Sequence, residues 1–195
     1  MSGPVLIAPT GTANLASVKA ALIRHDREVR LAETATDIVR ATHVVLPGVG
    51  SFGASMANLA AAGLDVGLSE RIARDLPTLC VCVGHQLLFE VSDESPGIRG
   101  LAVIRKSVDR FGDGVRVPQF GWNRMQGDGR VVRTGYAYFA NSFRAVEAPG
   151  WVAAEADHGG TFIAAMERGN IIGCQFHPEL SGSFGHDLIG RWLAC

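Results

Sequence analysis

A chain of 195 residues with a formal charge of −1 falls in the single-domain range and is read as one domain, residues 1–195. Near-neutral charge without any Lys/Arg run excludes an electrostatic nucleic-acid surface, and no apolar stretch reaches the roughly 18 uninterrupted residues of a membrane span. The start has neither the basic region nor the long apolar run of a signal peptide. Four cysteines, two of them only two positions apart, form neither a disulfide framework nor a zinc pattern. The expectation is therefore a cytoplasmic protein without metal or cofactor.

In chain order, the first half alternates strand and helix. Residues 5–8 read as a strand, and residues 14–25 as a helix with Leu15, Val18 and Leu22 on one face. Further strands are predicted over 28–31 and 43–46, and further helices over 36–40, 54–62 and 69–75, the last stopping before Pro77. Such alternation predicts a parallel sheet covered by helices. The second half is richer in strands, predicted over 101–108, 130–134, 136–143, 151–157, 161–167 and 171–176, with a closing helix over 186–193. The fold class expected is α/β, a three-layer sandwich around a mostly parallel sheet with an antiparallel extension.

The stretch Thr78-Leu79-Cys80-Val81-Cys82-Val83-Gly84-His85-Gln86 has the pattern of a buried strand turning sharply into a helix with a cysteine at the corner. A nucleophile elbow presents its side chain clear of the backbone in this way and favours small residues two places to either side. Cys82 has Gly84 at plus two, whereas Cys80 has no glycine at either position, so Cys82 is the better nucleophile. A free thiol near its reference pKa of about 8.5 is mostly protonated at neutral pH and needs help from helix amides or an imidazole.

A base is offered by Ile171-Ile172-Gly173-Cys174-Gln175-Phe176-His177-Pro178-Glu179. The apolar run reads as a second buried strand, with His177 at its end. Pro178 holds His177 extended, so Glu179, two residues on, points the same way and lies beside it. A carboxylate there orients the imidazole and completes a triad. His25, His43, His158 and His186 lack such a setting, and His85 is read as shaping the pocket.

With these motifs, the chain resembles the class I glutamine amidotransferases, and most specifically the glutaminase subunits of imidazole glycerol phosphate synthase. The resemblance covers nearly the whole chain. It rests on Leu46-Pro47-Gly48-Val49-Gly50-Ser51-Phe52, Val81-Cys82-Val83-Gly84-His85-Gln86-Leu87-Leu88-Phe89, Val117-Pro118-Gln119-Phe120-Gly121-Trp122-Asn123 and Gln175-Phe176-His177-Pro178-Glu179. It implies a flavodoxin-like glutaminase fold and hydrolysis of L-glutamine to glutamate and ammonia through a thioester on Cys82. His177 would be the acid and base, with Glu179 orienting it. It also implies an oxyanion hole from the N–H groups of Val83 and Gly50, and a substrate pocket at Gly48, Gly50, Gln86, Glu94 and Ser142. The implied partner is a (β/α)8-barrel cyclase, bound as a heterodimer, that receives the ammonia and makes imidazole glycerol phosphate for histidine synthesis. The oxyanion strand in such proteins is thought to reorient when the partner's ligand binds.

The chain departs from the family pattern at four places. The first turn reads Ala8-Pro9-Thr10-Gly11-Thr12-Ala13-Asn14-Leu15 without its usual acidic residue, and Leu180 stands where a Lys is common. Asn141-Ser142-Phe143 replaces a His-Ser-Tyr type segment, and Cys80 stands where a Gly precedes the nucleophile. Leu180 and Asn141 keep open a paralogue serving another acceptor. A non-catalytic scaffold is disfavoured by the intact Cys82, His177 and Glu179, and a cysteine protease by the small polar pocket residues.

Overall fold

The computed structural model describes residues 3–11 and 14–195; Met1 and Ser2, and Thr12 and Ala13 of the first-turn motif, lie outside the described residues. The first half folds into β1 (Val5–Ile7), α1 (Leu15–Ile23), β2 (Val29–Leu31), α2 (Ala35–Arg40), β3 (His43–Leu46), α3 (Phe52–Ala61), α4 (Leu64–Ala73) and β4 (Thr78–Val81). A single helical turn, α5 (Val83–Gln86), follows. Next come β5 (Phe89–Ser92), β6 (Ile104–Arg110), β7 (Gln119–Asp128), β8 (Arg133–Asn141), β9 (Phe143–Arg144), β10 (Val152–Asp157), β11 (Thr161–Arg168), β12 (Ile171–Cys174) and α6 (Gly182–Leu193).

The main sheet has strand order β2-β1-β3-β4-β12-β11-β10-β7-β8. The run from β2 to β12 is parallel, and the rest pairs antiparallel. This is the mostly parallel α/β core with an antiparallel extension that the sequence implied. Because β1 lies between β2 and β3, chain direction across the sheet reverses there. Right-handed crossovers then put α1 on one face and α2, α3 and α4 on the other. The contacts agree: α2 and α3 pack on α4, while α1 and α6 gather around the 3₁₀ turn Pro178–Leu180. The smaller sheet β5-β6-β9 lies beside the main one.

Local chemistry explains the starts of the helices. Thr34 and Asp37 form a reciprocal capping box at α2, with each side chain accepting from the other's backbone N–H. Ser51 caps α3 by accepting from Ala54 N–H.

Several elements differ from the reading of the sequence; α6, for one, begins at Gly182 rather than at 186. Helix α4 begins at Leu64 rather than at 69; Gly67 weakens the local helix signal, but it is where the helix packs directly on the Ala35 backbone of α2. Residues 130–143, read as two strands, contain one long strand, β8, with Gly135 as its third residue because the Phe184 ring lies where a Cβ would be. The helix expected beyond Gln86 is only one turn long, and Phe89–Ser92 pairs with β6 instead. Residues 119–128 form a strand whose exposed face carries Phe120 and Trp122 while Gln119 is buried. That inverts the usual pattern and hides the strand from a periodicity argument.

Candidate active site

The site is assembled by the register of two neighbouring strands. β4 and β12 pair in parallel with Cys174 opposite Val81, so the residues leaving the carboxyl ends of both strands emerge side by side. Ligand sites gather at such ends. Cys82 leaves β4 and Gln175, Phe176 and His177 leave β12.

Cys82 adopts φ 53° and ψ −111°, a strained conformation for a residue with a Cβ. Its N–H donates to Cys174 O at 2.7 Å, tying the corner to β12. Gly84 is required at plus two because a Cβ there would run into the Leu46 carbonyl oxygen of β3. Cys80, at minus two, is fully buried in β4 and the elbow forms despite it. Burial pushes the Cys80 thiol up to about 12, which leaves it inert at neutral pH.

His177 is held by its backbone as well as its ring. Its N–H donates to Tyr138 O at 2.9 Å, its carbonyl accepts from Ser181 Oγ at 2.6 Å, and the same Oγ accepts from Tyr138 N–H at 3.0 Å. The ring Nδ1 lies 2.9 Å from Glu179 Oε1, with both side chains only 6% exposed. The juxtaposition matches the expectation, but not the route. The strand ends at Cys174, and Pro178–Leu180 forms a 3₁₀ turn with Pro at its first position, where the missing N–H costs nothing. Burial works against a charged His177. Its interactions with Cys82 and Glu179 outweigh it and raise the imidazole to about 10.

Cys82 and His177 open on a cavity of about 260 Å³ that is also lined by Gly50, Val83, Gln86, Glu94 and Ser142. Gly50 has φ 111°, a conformation natural only to glycine. Gly48 lies outside this lining; its backbone packs so closely on Val83 and Gly84 that a Cβ would collide. Its carbonyl accepts the Val83 N–H at 3.2 Å. One of the two donors expected for an oxyanion is therefore already engaged. Glu94 Oε2 accepts from Phe52 N–H at 2.6 Å, linking the pocket to the start of α3.

Sequence reasoning assigned no role to two residues here. Ser181 clamps the His177 backbone, and nothing local in the sequence marks it. Gln175 stood inside a quoted motif; it is fully buried, its Oε1 accepts from Gln86 Nε2 at 2.9 Å, and its Nε2 lies 3.8 Å from Cys82 Sγ.

An α/β sheet carrying a strained cysteine elbow beside a His–Glu pair defines a class I glutaminase-type protein. The family model described as glutamine amidotransferase class-I matches residues 12–193. The chain is 36% identical to imidazole glycerol phosphate synthase subunit HisH of Dehalococcoides mccartyi, with 94% of this chain and 93% of that protein covered. It is also 36% identical to the chloroplastic imidazole glycerol phosphate synthase hisHF of Arabidopsis thaliana, over 94% of this chain; the chain spans a third of that longer protein. A crystal structure of a glutamine amidotransferase superposes with a TM-score of 0.78 at 17% identity, covering 97% of each chain. The chain belongs to the class I glutamine amidotransferase family and, within it, to the HisH group.

Proposed function

We propose that this chain, as a single glutaminase domain, hydrolyses L-glutamine to glutamate and ammonia and passes the ammonia to a (β/α)8-barrel cyclase, forming imidazole glycerol phosphate synthase of histidine biosynthesis. The observation that carries the reading is the convergence of Cys82 and His177 at one cavity, with Glu179 paired to His177 behind it, in a chain of HisH type. The cavity suits an amino acid better than a peptide.

In this reading Cys82 Sγ attacks the amide carbon of glutamine. His177, protonated at neutral pH and beside the sulfur, is the partner a thiolate requires. It gives its proton to the departing ammonia, leaving a γ-glutamyl thioester. Neutral His177 then takes a proton from water as the water attacks the thioester, and glutamate leaves. Glu179 holds the ring in place. Glu94 and Gln86 face the α-ammonium group and Ser142 the α-carboxylate. The oxyanion needs the Val83 N–H, so the Gly48 carbonyl has to swing away first, and the Gly-rich segment through Gly50 has the backbone freedom for this. A resting chain of low activity follows.

The docking face proposed for the cyclase carries Trp122, 59% exposed, and Phe120, 72% exposed, both packed edge-on to Tyr138. Tyr138 O is the acceptor for His177 N–H, so the face abuts the site, and exposed aromatics are the residues that anchor interfaces. Leu180, 42% exposed, adds an apolar contact where a Lys is common. Four free cysteines suit a reducing cytoplasm, and no helix among the described residues is long and apolar enough to cross a membrane.

The test is glutamate release by the purified chain, alone and with the barrel cyclase plus that enzyme's nucleotide ligand. Low activity alone and a large rise in the complex are expected. A folded chain that shows no rise with this cyclase has another partner.

A further inference from the structure

The carboxyl end of β12 sends three side chains towards the site, and the proposed reaction has used only His177 and Glu179. Gln175 has its backbone fixed by a hydrogen bond from its N–H to Ala164 O at 2.8 Å. Its side chain is fully buried, and a buried amide must have partners for both ends. Those partners are Gln86 on one side and Cys82 on the other.

The orientation of the amide follows from the network. Gln86 Nε2 points at two acceptors, the Phe143 carbonyl at 3.4 Å and Gln175 Oε1 at 2.9 Å. Turning Gln175 over would set nitrogen against nitrogen and leave its oxygen facing sulfur. The amide therefore presents its N–H group to Cys82 Sγ, at 3.8 Å. An N–H donor stabilises an anion far more than a neutral thiol, and a low-dielectric setting strengthens it. The helix that follows the elbow, α5, is only one turn long and has little dipole to offer, so a side-chain donor has a place to fill.

We infer that Gln175 is a positioning residue for the nucleophile: held by Gln86, its buried amide N–H restrains the Cys82 sulfur and favours its thiolate. Gln86 faces the cavity as well, so the same chain of amides connects the substrate pocket to the sulfur. This inference rests on Cys82 being the nucleophile.

The experiment is alkylation by iodoacetamide from pH 5 to 10, read peptide by peptide by mass spectrometry. That separates Cys82 from the part-exposed Cys195. It is run on the wild-type chain, on Gln175→Leu, which removes the donor at similar volume, and on Gln175→Glu, which keeps the shape and serves if the leucine variant does not fold. Expected are an upward shift of about one pH unit or more in the Cys82 profile, an alkylation rate about tenfold lower at pH 7, and a glutaminase kcat down by about tenfold with KM within about threefold. Superimposable Cys82 profiles with unchanged kcat would overturn the inference. A wild-type Cys82 that alkylates no faster than Cys195 would instead overturn its assignment as nucleophile, a separate failure.

Discussion

Glu179 Oε1 lies 2.9 Å from His177 Nδ1 inside a 3₁₀ turn, with both side chains almost wholly shielded from solvent. Its second oxygen has no hydrogen-bond partner and the carboxylate borders an apolar pocket with Val18, Leu22 and Leu79. The carboxylate is therefore committed to one task, fixing the ring. Glu179→Gln should lower kcat by up to about 10⁴-fold, the loss seen when the orienting carboxylate of a triad becomes an amide. KM should stay nearly unchanged, because Glu179 does not line the substrate cavity. Steady-state glutamate release measures both, and a kcat within twofold of wild type would remove Glu179 from the triad.

The two elbow cysteines separate by burial. Cys82 lines the cavity, while Cys80 is sealed in β4 with its thiol pushed up to about 12. Cys82→Ala should abolish glutamine hydrolysis, and Cys80→Ala should leave most of it. The opposite pattern, in two folded variants, would mean that the nucleophile is Cys80.

Two buried histidines give the fold an acid-sensitive edge. Burial, helped by Arg27 and Arg71, lowers His43 to about 4, and burial alone lowers His85 to about 3. The ring nitrogens of both lack partners. In the unfolded chain each returns to about 6.5 and binds a proton there, while the folded chain does not. The stability contributed by these two neutral rings is therefore full above about pH 6.5 and falls as pH drops from 6.5 towards 4 for His43 and 3 for His85. Between pH 7 and 5 the two together should cost about 2–4 kcal/mol. Urea unfolding of wild type and of His43→Gln/His85→Leu across that window checks this: the double variant should show the flatter profile, and parallel profiles would refute the assignment.

Arg71 is fully buried without an acidic partner in hydrogen-bond range. Its guanidinium donates to the carbonyls of Ile38, Ala41, Thr42 and Pro77 and to Thr78 Oγ1, at 2.7–3.1 Å. It thus ties the end of α2 to the starts of β3 and β4. Burial lowers it to about 10, so it stays charged at neutral pH. Arg71→Met should lower stability by about 3–5 kcal/mol because several buried carbonyls lose their donor. Arg71→Lys should recover only part of this, since an ammonium lacks the planar fork. Thermal unfolding measures the loss, and a shift of only a degree or two would show that the carbonyls find other donors.

The chemistry that depends on neighbours in the chain was legible in the residues alone. An apolar run closed by Cys82 with Gly84 at plus two specifies an elbow, because only glycine can approach the Leu46 carbonyl so closely. His177, Pro178 and Glu179 sit within one turn of each other, so their pairing is a local matter, and the early β-α alternation is carried by side-chain period. What depends on distant segments was decided by tertiary structure. The β4–β12 register brings Cys82 to Gln175 and His177, and no local pattern encodes which strands become neighbours. Packing on Ala35 extends α4 through Gly67, and Phe184 lies over Gly135 in an unbroken β8, each against local propensity. The Gly48 carbonyl engages the Val83 N–H, and Gln175 turns its amide to the Cys82 sulfur, because backbones and side chains far apart in sequence meet in one buried volume where an unpaired polar group is costly.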